Sequence, residues 1–178
     1  MPVVFLIDER HEPECIAQNV FNAKTLLAQC AVSFAGVESE YGGCEWDDYD
    51  EKYRDRFDRG DSGKQANEHP EFAGELKKYG VKVFGVECQG LSSALYCAAT
   101  EGNPQAIGNH PLNMARSEHF VRTLLQLREH HGLVGNVILN VGGNHNTHIA
   151  SWISDGSIEN RTGCKAAYVR LRAPAYKE

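Results

Sequence analysis

Short apolar runs alternate along the chain with segments in which apolar residues recur at helical spacing. Runs rich in β-forming residues predict buried strands at residues 3–7, 31–37, 81–86, 133–141 and 166–171. The helical spacing predicts helices at residues 13–30, 70–79, 91–99, 111–131 and 144–153. Pro13 suits a helix start, Gly80 a helix end, and Asn144 a helix cap.

The order of these elements predicts an α/β fold. Strands that alternate with helices form a mainly parallel sheet, and the helices cover both of its faces. The chain has 178 residues, of which 42% are hydrophobic, and this is enough for one sizeable core. We therefore expect a single three-layer α/β/α domain. Residues 44–68, with nine acidic and five basic side chains, break the pattern and are expected to form an acidic inserted loop.

Charge and composition narrow the classes of partner. Acidic residues outnumber basic ones by 24 to 18, and the resulting net charge of −6 argues against a nucleic-acid partner. No apolar run reaches the roughly 20 residues that span a bilayer, and the first residues lack the basic start and cleavage site of a signal peptide. The six cysteines never form a Cys-x-x-Cys pair, which is typical of reduced thiols. We expect a cytoplasmic protein that acts on a small-molecule or peptide substrate.

Four of the predicted strands end in carboxylates or imidazoles. The side chains that follow these strands are, in chain order, Asp8, Glu9 and His11; Glu38 and Glu40; Glu87; and His145 with His148. The carboxyl ends of parallel strands meet at one edge of a sheet, where α/β proteins bind their ligands. One alternative is that each charged residue only marks the return of the chain to water. Because four strands share the feature, we expect a polar site at this edge.

Such a cluster of carboxylates needs a positive partner. The glutamates at the strand ends cannot all stay ionised in a partly dry cleft unless a counter-charge lies among them. The candidates are Arg116 through a bidentate bond, a protonated histidine, or a divalent metal held by His11, His145 and Glu38. The charge of Arg116 persists at any relevant pH and would repel a metal, so we predict a metal-free resting site. In that site Arg116 bridges glutamates, and one glutamate shares a proton with a histidine.

Four short motifs in the chain resemble those of a known superfamily. They are Asp8-Glu9-Arg10-His11, Gly36-Val37-Glu38, Asn113-Met114-Ala115-Arg116 and Gly142-Gly143-Asn144-His145. Over residues 3–153 the chain resembles the superfamily of erythromycin esterases, ChaN-like haem-uptake proteins and Tiki proteins, whose scaffold also occurs in Pasteurella-type toxin domains. The resemblance implies several activities: hydrolysis in which Glu and His activate water without an obligatory metal, metal-dependent proteolysis, or haem binding. Asp8 replaces the glycine that opens the first family motif.

Three classes of function follow from these residues. In the leading hypothesis the protein is a hydrolase in which His11 and His145 activate water, Glu9 and Glu38 orient them, and Arg116 stabilises developing negative charge. This mechanism requires no cofactor. The residues expected to contact the substrate are Glu40, Tyr41, Asn113, Asn144 and His148. The first alternative is a haem- or small-ligand-binding protein without turnover, in which histidines and Tyr41 serve as axial ligands. The second is an interaction domain whose acidic residues 44–68 dock a basic partner.

Overall fold

The structure is a computed structural model that describes residues 1–10, 13–38, 68–101, 108 and 110–172. Its strands are β1 (Val3–Glu9), β2 (Val32–Val37), β3 (Lys82–Gly85), β4 (Asn136–Gly142) and β5 (Ala167–Leu171). They form one sheet in the order β3-β2-β4-β1-β5, and every pair of neighbours is parallel. The predicted parallel sheet is therefore confirmed.

Six helices accompany the sheet in the described part of the chain. They are α1 (Pro13–Gln29), α2 (Glu68–Lys78), α3 (Gln89–Glu101), α4 (Pro111–His130), α5 (Gly143–Ser154) and α6 (Ile158–Thr162). The longest, α4, begins where the imidazole of His110 accepts a hydrogen bond from the backbone N–H of Leu112, with Pro111 in the first turn. Gly80 follows α2 with φ at 74°, the left-handed conformation that ends many helices.

Side-chain alternation along the strands divides the core between the two faces of the sheet. On β1, Val4 and Leu6 pack with apolar residues of α4, α5 and α6. Phe5 and Ile7 point the other way and pack with α1 and α2. Helices therefore cover both faces, as expected for a three-layer α/β/α domain.

The strand order determines to which face of the sheet each strand leads. β1 leads to α1 and β2 to α2, and both helices lie on one face of the sheet. β3 leads through α3 to α4, and β4 leads to α5; α4 and α5 lie on the other face. When all crossovers have the same hand, the connecting helices change to the other face of the sheet where the chain reverses its direction along the strand order. Neighbouring strands thus send their chains to opposite faces, and α/β sheets bind ligands where that happens.

The predicted elements are all present, with ends that differ by up to three residues, as at β4, which was predicted from residue 133 and begins at Asn136. Three further differences concern the site or an additional element. β1 continues through Asp8 to Glu9, so these acids belong to the strand. The predicted cap of α5 was wrong: the N-cap is Gly142, and Asn144 lies inside the first turn. The five-residue helix α6 was not predicted, because it is too short to show helical periodicity.

Two expectations concern other parts of the chain. Residues 44–67 of the predicted acidic insert lie outside the described residues, and Glu68 begins α2. None of the helices that the structure describes is long and apolar enough to cross a membrane.

Candidate functional site

Arg116 lies between two glutamates at the carboxyl edge of the sheet. It comes from the second turn of α4, and its Nη2 donates a hydrogen bond of 2.8 Å to Oε1 of Glu38. The same guanidinium binds Glu87 in bidentate fashion, through Nε at 3.2 Å and through a second, closer contact from Nη2. Nη1 donates to Oδ1 of Asn113 at 3.3 Å. Four of its five N–H groups therefore have acceptors in the described part of the protein.

Glu38 is held at both carboxylate oxygens. It directly follows β2, and its Oε1 accepts from Arg116, while Oε2 accepts from the backbone N–H of Gly142 at 2.9 Å. Gly142 is the N-cap of α5, so Glu38 places a negative charge at the positive end of that helix. The carboxylate is thus fixed in position by two elements besides its own strand.

Glu87 is the more deeply buried partner, with 5% of its surface exposed. Its carboxylate also accepts a hydrogen bond of 2.8 Å from the backbone N–H of Cys88. Burial raises the pKa of Glu87 by more than its ion pair with Arg116 lowers it. Burial lowers the pKa of Arg116 in turn, but Glu87 and Glu38 outweigh this and raise it above its usual value. The guanidinium is therefore charged whenever the protein is folded.

His145 brings an unprotonated imidazole to the same place. It lies in the first turn of α5, is 5% exposed, and packs its ring edge-on against Phe120 at 4.8 Å between centroids. Its Nε2 is 3.8 Å from Oε1 of Glu38, which is too long for a direct hydrogen bond. Burial lowers the pKa of His145 to about 4, against the opposing effect of Glu38. The ring is therefore neutral at pH 7.

Ser117 supports two histidines from α4. Its fully buried hydroxyl lies 2.8 Å from Nδ1 of His145 and 2.8 Å from Nδ1 of His148. His148 follows His145 by three positions on α5, so both rings lie on the side of the helix that faces α4. His148 also stacks on Trp152, with 6.0 Å between ring centroids.

A second polar network anchors the start of α5. The carboxylate of Asp8 is fully buried and forms a bidentate ion pair with Arg170 of β5, with distances of 2.9 and 2.8 Å. It also accepts from Asn146 at 2.9 Å, and Nε of Arg172 lies 3.0 Å away. Because Arg170 donates further to the backbone carbonyl of Gly143, the network ties β1 and β5 to the turn that carries His145. It thereby helps to fix the position of that imidazole.

The structure brings part of the predicted site together. Glu38, Arg116, Asn113, His145 and His148 lie in one cluster, in which Asn113 contacts Arg116. Arg116 does bridge two glutamates, but the predicted proton shared between a glutamate and a histidine is not supported by the 3.8 Å separation of His145 and Glu38. Asn144 is exposed.

The remaining predicted residues are placed differently or lie elsewhere. Glu9 is buried, and strand alternation puts its side chain on the face that carries α1, opposite the face of Asp8 and α5. The structure thus separates Glu9 from the cluster around Arg116. His11, Glu40 and Tyr41 lie outside the described residues.

The described residues were compared with the ligand set that a metal ion requires. Among them, no group of three His, Cys, Asp or Glu side chains is placed to hold one. Arg116 also contacts the same oxygen of Glu38 that lies nearest to His145, so a cation there would meet a fixed positive charge. The conditional set of His11, His145 and Glu38 includes a residue outside the described ranges.

Two residues of the site, Glu87 and Ser117, were not among the catalytic residues predicted from the sequence. Glu87 was recognised only as a strand-end acid, and its pairing with Arg116 depends on how α4 crosses the sheet. Ser117 gave no signal, because a serine inside an amphipathic helix is common. The one indication available was its position next to Arg116 in the family-like motif.

Comparison with known proteins adds no relative. No protein-family model matches the chain, and no match was found among curated proteins or among solved structures. The superfamily resemblance therefore rests on the four motifs alone.

The cluster combines groups that are capable of acid–base chemistry. It offers one neutral imidazole nitrogen, one anchored carboxylate oxygen beside it, and one guanidinium whose charge the two glutamates offset. The neutral imidazole has a lone pair that can accept a proton, and Glu38 opposes the penalty that burial places on the imidazolium.

Proposed function

We propose that the protein is a hydrolase that cleaves an ester or amide bond of a small molecule or peptide, with water as the nucleophile. The observation that carries the proposal is the 3.8 Å separation between Nε2 of His145 and Oε1 of Glu38. A single water can contact both atoms at such a distance. Ser117 holds His145 at Nδ1, and Glu38 is held at Oε1 by Arg116 and at Oε2 by the N–H of Gly142, so the gap between the two side chains is fixed.

In the proposed reaction, Nε2 of His145 takes a proton from this water as the oxygen attacks the carbonyl carbon. The proton then passes to the departing alcohol or amine as its bond to the carbonyl carbon breaks. Glu38 orients the water and stabilises the imidazolium. Arg116 keeps Glu38 in place, and the second hydrogen on its Nη1 is the donor left for negative charge that develops on the carbonyl oxygen.

The predictions from the superfamily resemblance belong to the same proposal. Membership of the erythromycin esterase, ChaN-like and Tiki superfamily would place the protein beside hydrolases of this kind, and His11, Glu40 and Tyr41 are proposed to contribute to water activation or substrate contact. A cytoplasmic location is part of the proposal too. The haem-binding alternative stays a prediction, and it predicts a shift of the Soret band upon titration with haemin.

The test is a screen of chromogenic esters and fluorogenic peptide amides at pH 7, followed by variants. We expect His145→Gln and Glu38→Gln to lower kcat on the order of 10²- to 10⁴-fold. The matched control is His119→Gln, because His119 lies on α4 and contacts Thr123 at 3.3 Å instead of the cluster. Absence of turnover by the unmodified protein, or full activity in His145→Gln, would refute the proposal. A Soret shift upon haemin titration without turnover would favour the haem-binding alternative.

A further inference from the structure

One hydroxyl group joins two imidazoles beneath the proposed site. Oγ of Ser117 lies 2.8 Å from Nδ1 of His145 and 2.8 Å from Nδ1 of His148. Both distances are those of direct hydrogen bonds. Both histidines contact the serine through Nδ1, so Nε2 of each ring can bind another group.

The single hydroxyl proton sets the protonation pattern of the rings. A serine hydroxyl donates one hydrogen bond and accepts others, whereas a neutral imidazole has one N–H and one lone pair. For His145 to accept a proton at Nε2, its own proton must reside on Nδ1 and point at Ser117. Oγ of Ser117 also lies 2.9 Å from the backbone carbonyl oxygen of Asn113, so its proton has two possible acceptors. The relay requires Ser117 to accept from His145 and to donate to Nδ1 of His148, which then carries its proton on Nε2. The two histidines are then opposite tautomers, whereas donation to Asn113 would leave both rings protonated at Nδ1.

We propose that His145, Ser117 and His148 form a proton relay that leads from the buried site toward the surface, an inference that rests on the proposed function. After His145 has taken a proton at Nε2, its Nδ1–H bond breaks and the proton binds Oγ of Ser117. The hydroxyl O–H bond of Ser117 breaks in the same step, and that proton binds Nδ1 of His148. One proton moves from His145 to His148, which becomes the imidazolium, and His145 is left neutral with its proton on Nε2. As the bond to the leaving group breaks, Nε2 of His145 gives its proton to the departing alcohol or amine. A proton returns in the same step from Nδ1 of His148 through Ser117 to Nδ1 of His145, and the starting tautomers are restored.

The surroundings favour outward movement of the proton. His145 is 5% exposed and lies near the charge of Arg116, both of which penalise a cationic ring there. Burial lowers the pKa of His148 as well, but its ring is only half-buried and stacks on Trp152, so a cation is penalised less there than at His145. Ser117 acts only through the two histidines, so it is a positioning residue.

The unmodified protein tests the relay directly. Long-range ¹H–¹⁵N spectra of the histidine rings, recorded at a pH where both are neutral, report which nitrogen carries the proton. We expect His145 to be protonated at Nδ1 and His148 at Nε2. Any other combination overturns the relay, and this readout requires neither a substrate nor a variant.

Variants of Ser117 separate the relay from a merely structural role. Ser117→Ala removes the acceptor of His145, so we expect its ring proton to shift toward Nε2, whereas Ser117→Thr keeps the hydroxyl and the tautomers. The matched control is Thr123→Ala, which removes a hydroxyl one and a half turns further along α4 and should leave both rings unchanged. Unchanged tautomers in Ser117→Ala would overturn the relay.

Kinetics then distinguish the relay from the proposed function. On a substrate found in the screen, Ser117→Ala and His148→Gln should lower kcat on the order of 10²-fold with KM unchanged, and Ser117→Thr should restore it. Turnover combined with the wrong tautomers would overturn the relay and leave the hydrolase proposal standing. The right tautomers without turnover would refute the hydrolase while the hydrogen-bonded chain itself is upheld.

Discussion

His145 makes the stability of the fold depend on pH. Burial lowers its pKa to about 4 in the folded protein, whereas the same imidazole in an unfolded chain titrates near 6.5. Between these values the unfolded state binds a proton that the folded state does not. The contribution of His145 to stability is therefore complete above pH 6.5 and is lost as the pH falls toward 4, by at most about 3 kcal/mol.

The first prediction follows from this difference. Urea unfolding between pH 7 and pH 4 should show a smaller loss of stability in His145→Gln than in the unmodified protein. The matched control is His130→Gln, which makes the same substitution at an exposed position at the end of α4. Identical pH profiles for His145→Gln and the unmodified protein would show that this imidazole is not the group responsible.

Arg116 is the counter-charge that two glutamates of the cluster share. Its removal in Arg116→Met would leave Glu87 and Glu38 without the counter-charge that their burial requires. The expected cost is about 3–5 kcal/mol of unfolding free energy. Arg122→Met on the same helix removes an exposed partner of Glu118, and there we expect about 1 kcal/mol or less.

A double-mutant cycle identifies the source of that cost. Adding Glu87→Gln to Arg116→Met removes the buried charge that has lost its partner, so the double variant should be more stable than Arg116→Met alone. If Glu87→Gln instead lowers stability further by the amount it costs alone, the two side chains are not coupled in the way the structure indicates.

At the scale of elements, the glycine of the second family-like motif is explained by packing. A Cβ atom on Gly36 of β2 would lie 2.8 Å from Cγ1 of Val86 and 3.0 Å from Cδ1 of Leu124 on α4. We expect Gly36→Ala to cost about 1–3 kcal/mol, because the neighbours would have to move. Val86→Ala, which removes the closest atom, should recover part of this loss in the double variant. Thermal unfolding measures each step.

Gly74 on α2 is the control for this prediction. Its Cβ position has no neighbour within 4 Å, so Gly74→Ala should stabilise the protein by roughly 0.5–1 kcal/mol through helix propensity. A neutral Gly36→Ala variant would mean that β2 and α4 can separate freely at this point.

The strands and helices could be predicted from the sequence, whereas the contacts between them could not. The apolar run of β1 and the periodicity of α4 reflect burial, which acts on each segment by itself. The extension of β1 to Glu9 depends on its pairing with β4, 133 positions further along the chain at Gly142. The sequence cannot reveal such partners, because an acidic residue at a strand end has the same sequence context whether its side chain contacts water or an arginine.

The same limit explains which site residues were found. Glu38, Arg116 and His145 stood out, because charged or imidazole side chains at strand ends and helix starts are conspicuous in an apolar context. The role of Ser117 depends on how α4 packs against α5. The ion pair of Asp8 with Arg170 depends on the pairing of β1 with β5, which joins residues 162 positions apart. Sequence thus identified reactive groups more readily than the residues that position them.

At the scale of the whole molecule, the chain order of the sheet gathers the site from distant segments. β2, β3 and β4 each end near α4 or α5. The guanidinium of Arg116 therefore supports Glu38 and Glu87, and Ser117, the next residue on α4, supports His145. A change in any support should therefore alter the whole cluster, and a ligand of the cluster should stabilise the entire fold.

This linkage provides the last prediction, on metal binding. A metal ion at 100 times its dissociation constant would add about 2.7 kcal/mol to the stability of the folded state. Because Arg116 occupies the oxygen of Glu38 nearest His145, we expect the unfolding midpoint at pH 7 to be the same with EDTA and with added zinc, manganese or cobalt. Arg116→Met removes the repelling charge, so zinc should stabilise that variant more than the unmodified protein. Near-stoichiometric metal in untagged protein purified without chelator, together with a lower midpoint in EDTA, would contradict the prediction and assign Glu38 and His145 to a metal centre.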